Sequence, residues 1–453
     1  MAKYTTYISH KVTAITGLEN IPEHWEIKQV RYLLLDGQDG IKIGPFGSAL
    51  KLEDMVEAGY KVYGQENVIK KDFSLGKRWI SENKFKTMQV YRVYSGDILI
   101  TMMGTSGKCE IVPDDCQTGI IDSHLIRLGL QKDKMLPKFF KVLIDGTLEI
   151  EYQVKIQGKG SIMHGLNSSI IKSLELPIPP ILEQEDILNF LDHETAQIDT
   201  LIEKQQTLIK LLKEKRQAVI SHAVTKGLNP DAPMKDSGVE WLGDVPEHWE
   251  VGSLGYYATL ETGATPSRAN PKYWDGDIPW VKTGEVKYDT IYDTEEKITD
   301  LAVLHTSVRV SPVGTLLMAM YGQGITRGRV ALLGLPAAYN QACVAITVNE
   351  KVWNEYIKWF FIAGYHAIRD GGNETSQMNL NADLVRKFKI LIPPKNEQKE
   401  IIGFLLKKLP LFDDLLDKAN EQIQLMQERR TALISAAVTG KIDVRGWQAA
   451  EQS

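Results

Sequence analysis

The chain has 453 residues, 43% of them hydrophobic and 25% charged, and a formal net charge of -5. This length suggests two or three globular domains, and the negative charge means that any nucleic-acid binding must rest on local basic patches. The three cysteines, Cys109, Cys116 and Cys343, form no CxxC pair, which argues against a zinc site and favours the reducing cytoplasm. No apolar run is long enough to cross a membrane, and the N-terminus lacks the apolar segment of a signal peptide.

The first predicted elements along the chain are an N-terminal arm, residues 1–26, and a variable block, residues 27–177. The arm ends in the string IPEHWE. The block carries short apolar and β-branched runs, such as KVYGQENVI and GDILITMMG, which Gly, Asn and Asp separate. Such runs predict a mixed α+β domain rich in short strands.

A helical region, residues 178–226, follows the first block. Its apolar residues recur in steps of three, four and seven, which predicts a heptad seam. The predicted seam residues include Ile187, Leu191, Ile198, Leu201 and Leu208. Thr195 is a possible N-cap, so we expect a short helix, a break near this residue, and then a long helix.

The same order of segments then repeats. A linker rich in Gly, Pro, Asn and Asp, residues 227–250, ends in VPEHWE and mirrors the N-terminal arm. A second variable block of similar character spans residues 251–391, and a C-terminal helical region spans residues 392–453. The chain therefore contains two units of one plan.

The two helical regions align closely. The segments that begin at Ile178 and Ile392 match without a gap over 48 positions, of which 21 are identical. Pro410 stands where the first copy has Ala196, and a proline there predicts a kink or break in the helix.

The duplication predicts an α+β fold class: two similar mixed α/β domains separated by two long helices that pair with each other, with an internal pseudo-two-fold. The alternative is that each apolar stripe packs only on its own domain.

Motifs of catalysis are missing from the sequence. There is no Walker A string, no GxGxxG after a predicted strand, and neither HExxH nor GxSxG. Asp277, Glu285 and Lys287 loosely resemble the carboxylates and lysine of a metal nuclease, but a solvated strand edge explains them. The sequence therefore indicates a protein that binds, with no metal site.

Local basic and amide-rich stretches offer candidate contacts to nucleic acid. Arg can bridge guanine, Gln and Asn can bridge adenine, and Lys neutralises phosphate. The segment 69–86 holds six basic and two acidic residues, and the segment 321–329 holds two arginines and no acid. A solvated loop is the competing explanation for any single residue.

The candidates fall in both blocks. In the first block they are Lys42, Phe46, Gln65, Asn67, Lys70, Lys71, Lys108 and His164. In the second they are Thr265, Ser267, Arg268, Lys282, Thr283, Tyr321, Gln323, Thr326, Arg327, Arg329, Asn373, Ser376 and Gln377.

The strings IPEHWE, IPPILEQEDILNFLDHETAQIDTLI and RRTALISAAVTGKIDV resemble the specificity subunit of type I restriction–modification enzymes, and the resemblance covers the whole chain. It implies that each variable block is a target recognition domain for one half of a bipartite DNA sequence. It also implies that the long helices pair antiparallel as a coiled coil, set the spacer and dock two methylation subunits.

The resemblance further implies which molecules act with this chain. Restriction subunits would join through the methylation core, and S-adenosylmethionine, ATP and Mg would be used by partner subunits. This chain itself would bind no cofactor and would perform no catalysis. A coiled-coil scaffold or adaptor without nucleic-acid binding is the alternative function.

Overall fold

A computed structural model describes residues 4–105, 107–158, 166–321, 326–370 and 380–449 of the chain. The chain divides into two compact units. The first unit comprises residues 1–205 and 421–453, and the second comprises residues 206–420. Within the described residues, no helix is both long and apolar enough to cross a membrane.

The first unit is a mixed α/β structure of short strands and helices. Its strands are β1 (His10–Val12), β2 (Asn20–Pro22), β3 (Glu26–Gln29), β4 (Ile41–Ile43), β5 (Met55–Val56), β6 (Tyr60–Tyr63), β7 (Trp79–Ile80), β8 (Ile98–Thr101), β9 (Cys109–Ile111), β10 (Gly119–Ile121), β11 (Leu125–Leu128) and β12 (Glu175–Ile178). Its helices are α1 (Gln65–Ile69), α2 (Glu82–Thr87), α3 (Pro137–Gly146), α4 (Leu148–Gly158), α5 (Ser168–Ser173) and the start of α6 (Ile181–Lys226).

The second unit has the same character. Its strands are β13 (Met234–Asp236), β14 (Asp244–Pro246), β15 (Glu250–Ser253), β16 (Ala258–Thr262), β17 (Trp274–Val281), β18 (Thr290–Ile291), β19 (Glu296–Ile298), β20 (Leu316–Ala319), β21 (Val330–Leu333), β22 (Ala338–Tyr339), β23 (Cys343–Val348) and β24 (Lys389–Ile392). Its helices are α7 (Asp300–His305), α8 (Asn354–Ala363), α9 (Tyr365–Asp370), α10 (Ala382–Lys387) and the start of α11 (Lys395–Val438).

Each unit contains two main sheets with matching strand partners. In the first unit the orders are β4-β11-β8-β9 and β10-β6-β7-β5; in the second they are β16-β23-β20-β21-β18 and β19-β17-β22. Strands β6 and β10 run parallel, as do β17 and β22. The described parts of the two units thus share one central strand order, as the sequence duplication predicts, while β5 extends the β10-β6-β7 sheet of the first unit and β18 the β16-β23-β20-β21 sheet of the second.

Central strands are buried on both faces because each lies between a helical layer and the second sheet. In β8, Ile98 and Ile100 pack with Phe139 of α3, whereas Leu99 packs with Tyr63 of β6. In β20, Leu316 and Met318 likewise belong to one core and Leu317 to another. The alternation follows from the two-residue period of a strand.

The two long helices are continuous, so the predicted breaks are wrong. Helix α6 has 46 residues and α11 has 44, with Pro410 inside it. The Thr195 hydroxyl donates to the carbonyl of Leu191 one turn earlier, which is a bond within a helix and not a cap. Pro410 is exposed, so the helix bond that its missing N–H removes lies on the side of α11 that faces solvent.

The helices pair antiparallel. In the first unit Asp199 binds Arg430 at 2.9 Å, and in the second Arg216 binds Asp413 at 3.1 Å. The residue on α6 with the higher number pairs with the residue on α11 with the lower number, so the two helices run in opposite directions. Both long helices contribute apolar residues to the core of each unit.

The helix seam differs from the predicted one by one residue in places. On α6 the less exposed positions are Ile198, Ile202, Gln205, Ile209, Leu212, Arg216 and Val219, which follow steps of three and four. Leu201 and Leu208, predicted in the seam, are 50% and 44% exposed. Each of these leucines is followed by an isoleucine, and packing selects the second residue of the pair, which periodicity alone could not decide.

Candidate nucleic-acid interface

Gln65, a predicted contact residue of the first unit, lies where two parallel strands end. Because β6 and β10 are parallel neighbours, the residues that follow them meet at one edge of the sheet. Gly64 and Gln65 follow β6, and Asp122 and His124 follow β10. The backbone N–H of Asp122 donates to the carbonyl of Tyr63, which fixes the two chain exits side by side.

An ion pair lies at this edge. Nη1 of Arg78 donates to Oδ2 of Asp122 at 3.0 Å, and Oδ1 of Asp122 accepts the backbone N–H of His124 at 2.9 Å. The Asp122 side chain is 8% exposed and that of Arg78 is 37% exposed. The carboxylate is therefore the buried anchor, and the guanidinium reaches solvent.

Asn67 is an exception among the predicted contacts. Its side chain is fully buried; Oδ1 accepts the N–H of Gly64, and Nδ2 donates to the carbonyls of Asp72 and Leu75. Both N–H groups of Nδ2 and one lone pair of Oδ1 therefore hold the loop around α1. The prediction of a base contact for Asn67 is wrong, because the amide shapes the loop from inside.

The other described candidates of the first unit reach solvent to different degrees. Phe46 is 62% exposed, Gln65 is half-buried, and Lys70 and Lys71 are exposed just beyond α1. Lys42 lies in β4 with its ammonium 5.3 Å from the centre of the Tyr91 ring. Lys108 is exposed, and its Nζ lies 3.9 Å from Oδ1 of Asp145.

The second unit carries a denser cluster of charged side chains at the equivalent edge of its own sheet. Lys282 follows β17 directly, and its Nζ binds Glu295 at 2.7 Å and Glu296 at 3.1 Å. Glu296 also binds Nη1 of Arg268 at 2.6 Å. The Arg268 hydrogen bond lowers the pKa of Glu296, and the bonds to Glu295 and Glu296 raise the pKa of Lys282.

Aromatic packing orients Arg268. Its guanidinium carbon lies 3.8 Å from the centre of the Trp274 ring and 5.3 Å from that of Trp280. The Trp274 indole N–H in turn donates to the carbonyl of Ser267. The predicted residues Ser267 and Arg268 are thus held by one stacked arrangement, in which the cation rests on the ring face.

Two threonines complete the described part of this edge. The Thr265 hydroxyl donates to the side-chain oxygen of Gln341, which follows β22, and Thr283 is half-buried beside Lys282. The structure therefore brings together five predicted residues of the second unit: Thr265, Ser267, Arg268, Lys282 and Thr283.

The remaining described candidates lie on the hairpin between β20 and β21. Tyr321 is 38% exposed, and Thr326 and Arg327 are half-buried. The Arg329 guanidinium carbon is 5.6 Å from the centre of the Tyr288 ring. The N–H of Ala319 donates to the carbonyl of Arg329, just as that of Thr101 donates to Lys108, so Arg329 and Lys108 are equivalent.

Five candidates, His164, Gln323, Asn373, Ser376 and Gln377, lie outside the described residues. Sequence reasoning missed Asp122, Glu296 and Gln341, and it included Arg78 only within a basic segment. The signal for Asp122 was its place directly after a short apolar run, at a strand end, and Gln341 stands two residues after such a run.

The resemblance to a metal nuclease finds no support among the described residues. Both oxygens of Glu285 accept backbone N–H groups, from Lys282 at 2.7 Å and from Glu295 at 2.9 Å. No group of three or more His, Cys, Asp or Glu side chains in the described ranges could hold a metal ion. Glu285 thus closes a turn at this edge.

Comparison with known proteins supports a role in DNA recognition. The model of the family "Type I restriction modification DNA specificity domain" matches residues 50–211 and 246–425. The MjaX type I restriction enzyme specificity subunit of Methanocaldococcus jannaschii is 25% identical over 447 residues, which cover 95% of this chain and 96% of the relative. The EcoR124I/EcoR124II specificity subunit of Escherichia coli is 24% identical over 57% of this chain and 61% of its own length.

Solved structures share the fold. A chain in a structure of the type I R-M system superposes with a TM-score of 0.69 at 12% identity, covering 92% of this chain and 98% of its own. The HsdS subunit from Thermoanaerobacter tengcongensis gives a TM-score of 0.55 at 13% identity, covering 93% and 98%. The family match to both halves favours DNA recognition over a scaffold without nucleic acid. The chain belongs to the family of type I restriction–modification DNA specificity subunits.

Proposed function

We propose that each unit reads one half of a bipartite DNA sequence through the loops at its strand-end edge and the neighbouring hairpin. The supporting observation is that the two units keep one scaffold and change its loop side chains. Gly64 is replaced by Lys282, Asp122 by Asn340 and Lys108 by Arg329 at equivalent backbone positions. A single scaffold with two sets of polar groups suits two different half-sites.

The chemistry of these groups fits base edges in the major groove. Arg268 and Arg329 each present a planar guanidinium that can bridge O6 and N7 of guanine. Exposed lysines such as Lys70 and Lys71 suit phosphate, where they add affinity without sequence preference. Gln65 and Gln341 carry the amides that suit adenine.

The long helices would dock two methylation subunits, one on each pseudo-equivalent half, and would set the spacer. The supporting observation is a set of large apolar side chains that the seam leaves in solvent. They are Leu201, Leu208 and Leu211 on α6, and Leu406, Leu411 and Leu415 on α11, with exposures between 44% and 61%. Apolar side chains that recur on a helix surface favour a protein partner.

Catalysis belongs to the partners in this proposal. Methyl transfer from S-adenosylmethionine, and cleavage with ATP and Mg, would be performed by methylation and restriction subunits in the cytoplasm. This chain would bind no cofactor. Purified without partners, it should neither methylate nor cut DNA.

The direct test is to express this chain with the methylation subunit of its host in a cell without other methylases, and to map modified bases across the genome. We expect one bipartite motif. Replacing the loop residues Thr265, Ser267 and Lys282 by alanine should change one half of the motif and leave the other half intact. A motif that changes in both halves, or in neither, would contradict the assignment of one unit to each half.

The spacer is tested by inserting four residues after Thr225, near the end of α6. Four residues add ~6 Å of helix, and a base pair rises ~3.4 Å, so the spacer should grow by one to two base pairs. The half-site sequences should stay as they were because no loop residue changes. An unchanged spacer would show that helix length does not set it.

A further inference from the structure

Strand registers identify which residues of the two edges are equivalent. On the parallel side, Val62 pairs with Ile120 and Trp280 pairs with Ala338, so Val62 and Trp280 are equivalent. On the antiparallel side, the N–H of Val62 donates to the carbonyl of Arg78, and Trp280 pairs with Glu296. Gly64 and Lys282 stand two residues after Val62 and Trp280, directly after the last residues of β6 and β17. Arg78 is therefore equivalent to Glu296, and Gly64 to Lys282.

The turn after the strand confirms this correspondence independently. The N–H of Gly64 donates to the side chain of Asn67 at 2.9 Å, and the N–H of Lys282 donates to that of Glu285 at 2.7 Å. Both acceptors stand three residues after the donor. The two backbones follow the same path, so differences between the side chains can be compared position by position.

The comparison shows an exchange of charge. In the first unit the position directly before β7 holds the cation, Arg78, and its acid is Asp122, which follows β10. In the second unit the strand position holds the acid, Glu296, and the cations come from the loops, Lys282 and Arg268. Each unit thus places a cation that is paired with a carboxylate at the equivalent edge of its own sheet. At the position that Arg78 and Glu296 share, one unit has the cation and the other has the acid.

Gly64 has a steric role in this exchange. A Cβ atom at Gly64 would lie 2.1 Å from Nη2 of Arg78 and 2.9 Å from Oδ2 of Asp122. The backbone of Gly64 is ordinary extended chain, with φ -128° and ψ -179°, so glycine is not needed for its conformation. Glycine is needed because the Arg78 guanidinium lies directly over its Cα atom.

We propose that Arg78 is a base-reading residue of the first unit, that Gly64 and Asp122 position it, and that Glu296 positions Lys282 and Arg268 in the second unit. This inference rests on the proposed function. Asp122 engages one side of the guanidinium and leaves other N–H donors for a base, and a side chain held in advance loses less freedom on binding. Because a carboxylate beside each cation cancels its charge, the pair suits a base edge better than a phosphate.

The experiment maps methylation by the chain co-expressed with its methylation subunit. Arg78→Ala should lower discrimination at one base pair of one half-site by roughly tenfold to hundredfold. Gly64→Ala, which displaces the guanidinium, and Asp122→Asn, which loosens it, should relax the same position to a smaller degree. Glu296→Gln should relax the other half-site. Lys155→Ala, which removes an exposed charge paired with Glu151 on α4 of the same unit, is the control and should leave the motif unchanged.

The outcomes separate the two proposals. If the unmodified chain directs no bipartite methylation, the proposed function fails and this inference fails with it. If the bipartite motif is present but Arg78→Ala leaves it unchanged, or weakens methylation evenly at all sites, only this inference is overturned. Melting temperatures identify any variant that fails to fold, and Arg78→Lys, which keeps the charge but loses the planar fork, then serves in place of Arg78→Ala; it should relax the same position.

Discussion

Glu183 and Glu397 occupy equivalent places in the first turns of α6 and α11, and each accepts the indole N–H of the tryptophan from a PEHWE string. Trp25 donates to Glu183 at 3.0 Å, and Trp249 donates to Glu397 at 2.9 Å. His24 and His248 lie 2.7 Å from the same carboxylates. The repeated string thus fastens the arm or linker before each variable block to the helix after it.

The first prediction concerns the unequal burial of these two carboxylates. The side chain of Glu183 is 5% exposed and also accepts the Tyr7 hydroxyl, whereas that of Glu397 is 30% exposed. Glu183→Ala should therefore lower the free energy of unfolding of its unit by about 3 kcal/mol, and Glu397→Ala by about 1–2 kcal/mol. Hydrogen exchange followed by mass spectrometry resolves the two units; equal losses would contradict the argument from burial.

A second prediction concerns Gln184 and Gln398, which are both fully buried. Gln184 accepts the N–H of Leu136, at the start of α3, and Gln398 accepts that of Trp353, at the start of α8. Each also donates to two backbone carbonyls at 2.8–3.0 Å. Replacing either by Met leaves these groups unpaired, so both variants should lose about 2–4 kcal/mol, to a similar extent. Unfolding in urea, followed by exchange in each unit, measures the losses; a difference of more than twofold would show that the two joints are not equivalent.

The third prediction concerns Pro410 in α11. Alanine at this position restores an N–H for the carbonyl of Leu406, so Pro410→Ala should stabilise the chain by about 1–3 kcal/mol. The matched change is Ala196→Pro at the equivalent exposed position of α6, which should destabilise by a similar amount. Melting temperatures measure both. If Pro410→Ala lowers the melting temperature, the proline serves packing that the exposed position does not reveal.

A fourth prediction concerns pH. Burial raises the pKa of the Asp97 carboxyl to about 6, against weaker opposing effects from the Tyr94 N–H and Arg127. The folded chain then retains a proton that the unfolded chain has lost, so the contribution of Asp97 to stability falls as pH rises from about 4 to about 6, on the order of 3 kcal/mol. The difference between the wild-type chain and Asp97→Asn isolates this group. Parallel pH profiles for the two proteins would contradict it.

The fifth prediction concerns Arg329, the equivalent of Lys108. If Arg329 bridges a guanine, Arg329→Ala should cost about 1–3 kcal/mol and relax one position of the half-site that the second unit reads. If it contacts phosphate, binding should weaken evenly, and the slope of log affinity against log salt should fall by about one unit. Gel retardation over a salt series, together with the methylation map, distinguishes the two. Unchanged affinity and an unchanged motif would leave Arg329 as a solvated loop residue.

Sequence reasoning predicted the duplication, the mixed α/β units and the long helices, because repeats and apolar periodicity are local signals. It predicted a break at Pro410 and did not anticipate that an exposed proline can remain inside a helix whose apolar residues pack in the cores of the units. It chose Leu201 over Ile202 for the seam, since two adjacent apolar residues give the same periodicity.

The site was predicted less fully, for a different reason. Arg78 and Asp122 are 44 positions apart in the sequence, and only the parallel pairing of β6 and β10 brings them together. Asn67 has the right side chain for adenine, yet its amide is buried and bonds to the backbone of the turn around α1. Residue type indicates what a loop could bind, whereas strand register decides which side chains reach the surface.

The division of the chain has a consequence for synthesis on the ribosome. The second unit is one continuous stretch, 206–420, but the first needs residues 421–453 as well. Leu433, Ala436, Ala437 and Val438 are buried in the first unit's core. Synthesis of the first unit thus begins before that of the second unit and ends after all residues of the second unit have been made. A chain that stops after residue 420 should therefore damage the first unit, whose residues are made first, and spare the second unit.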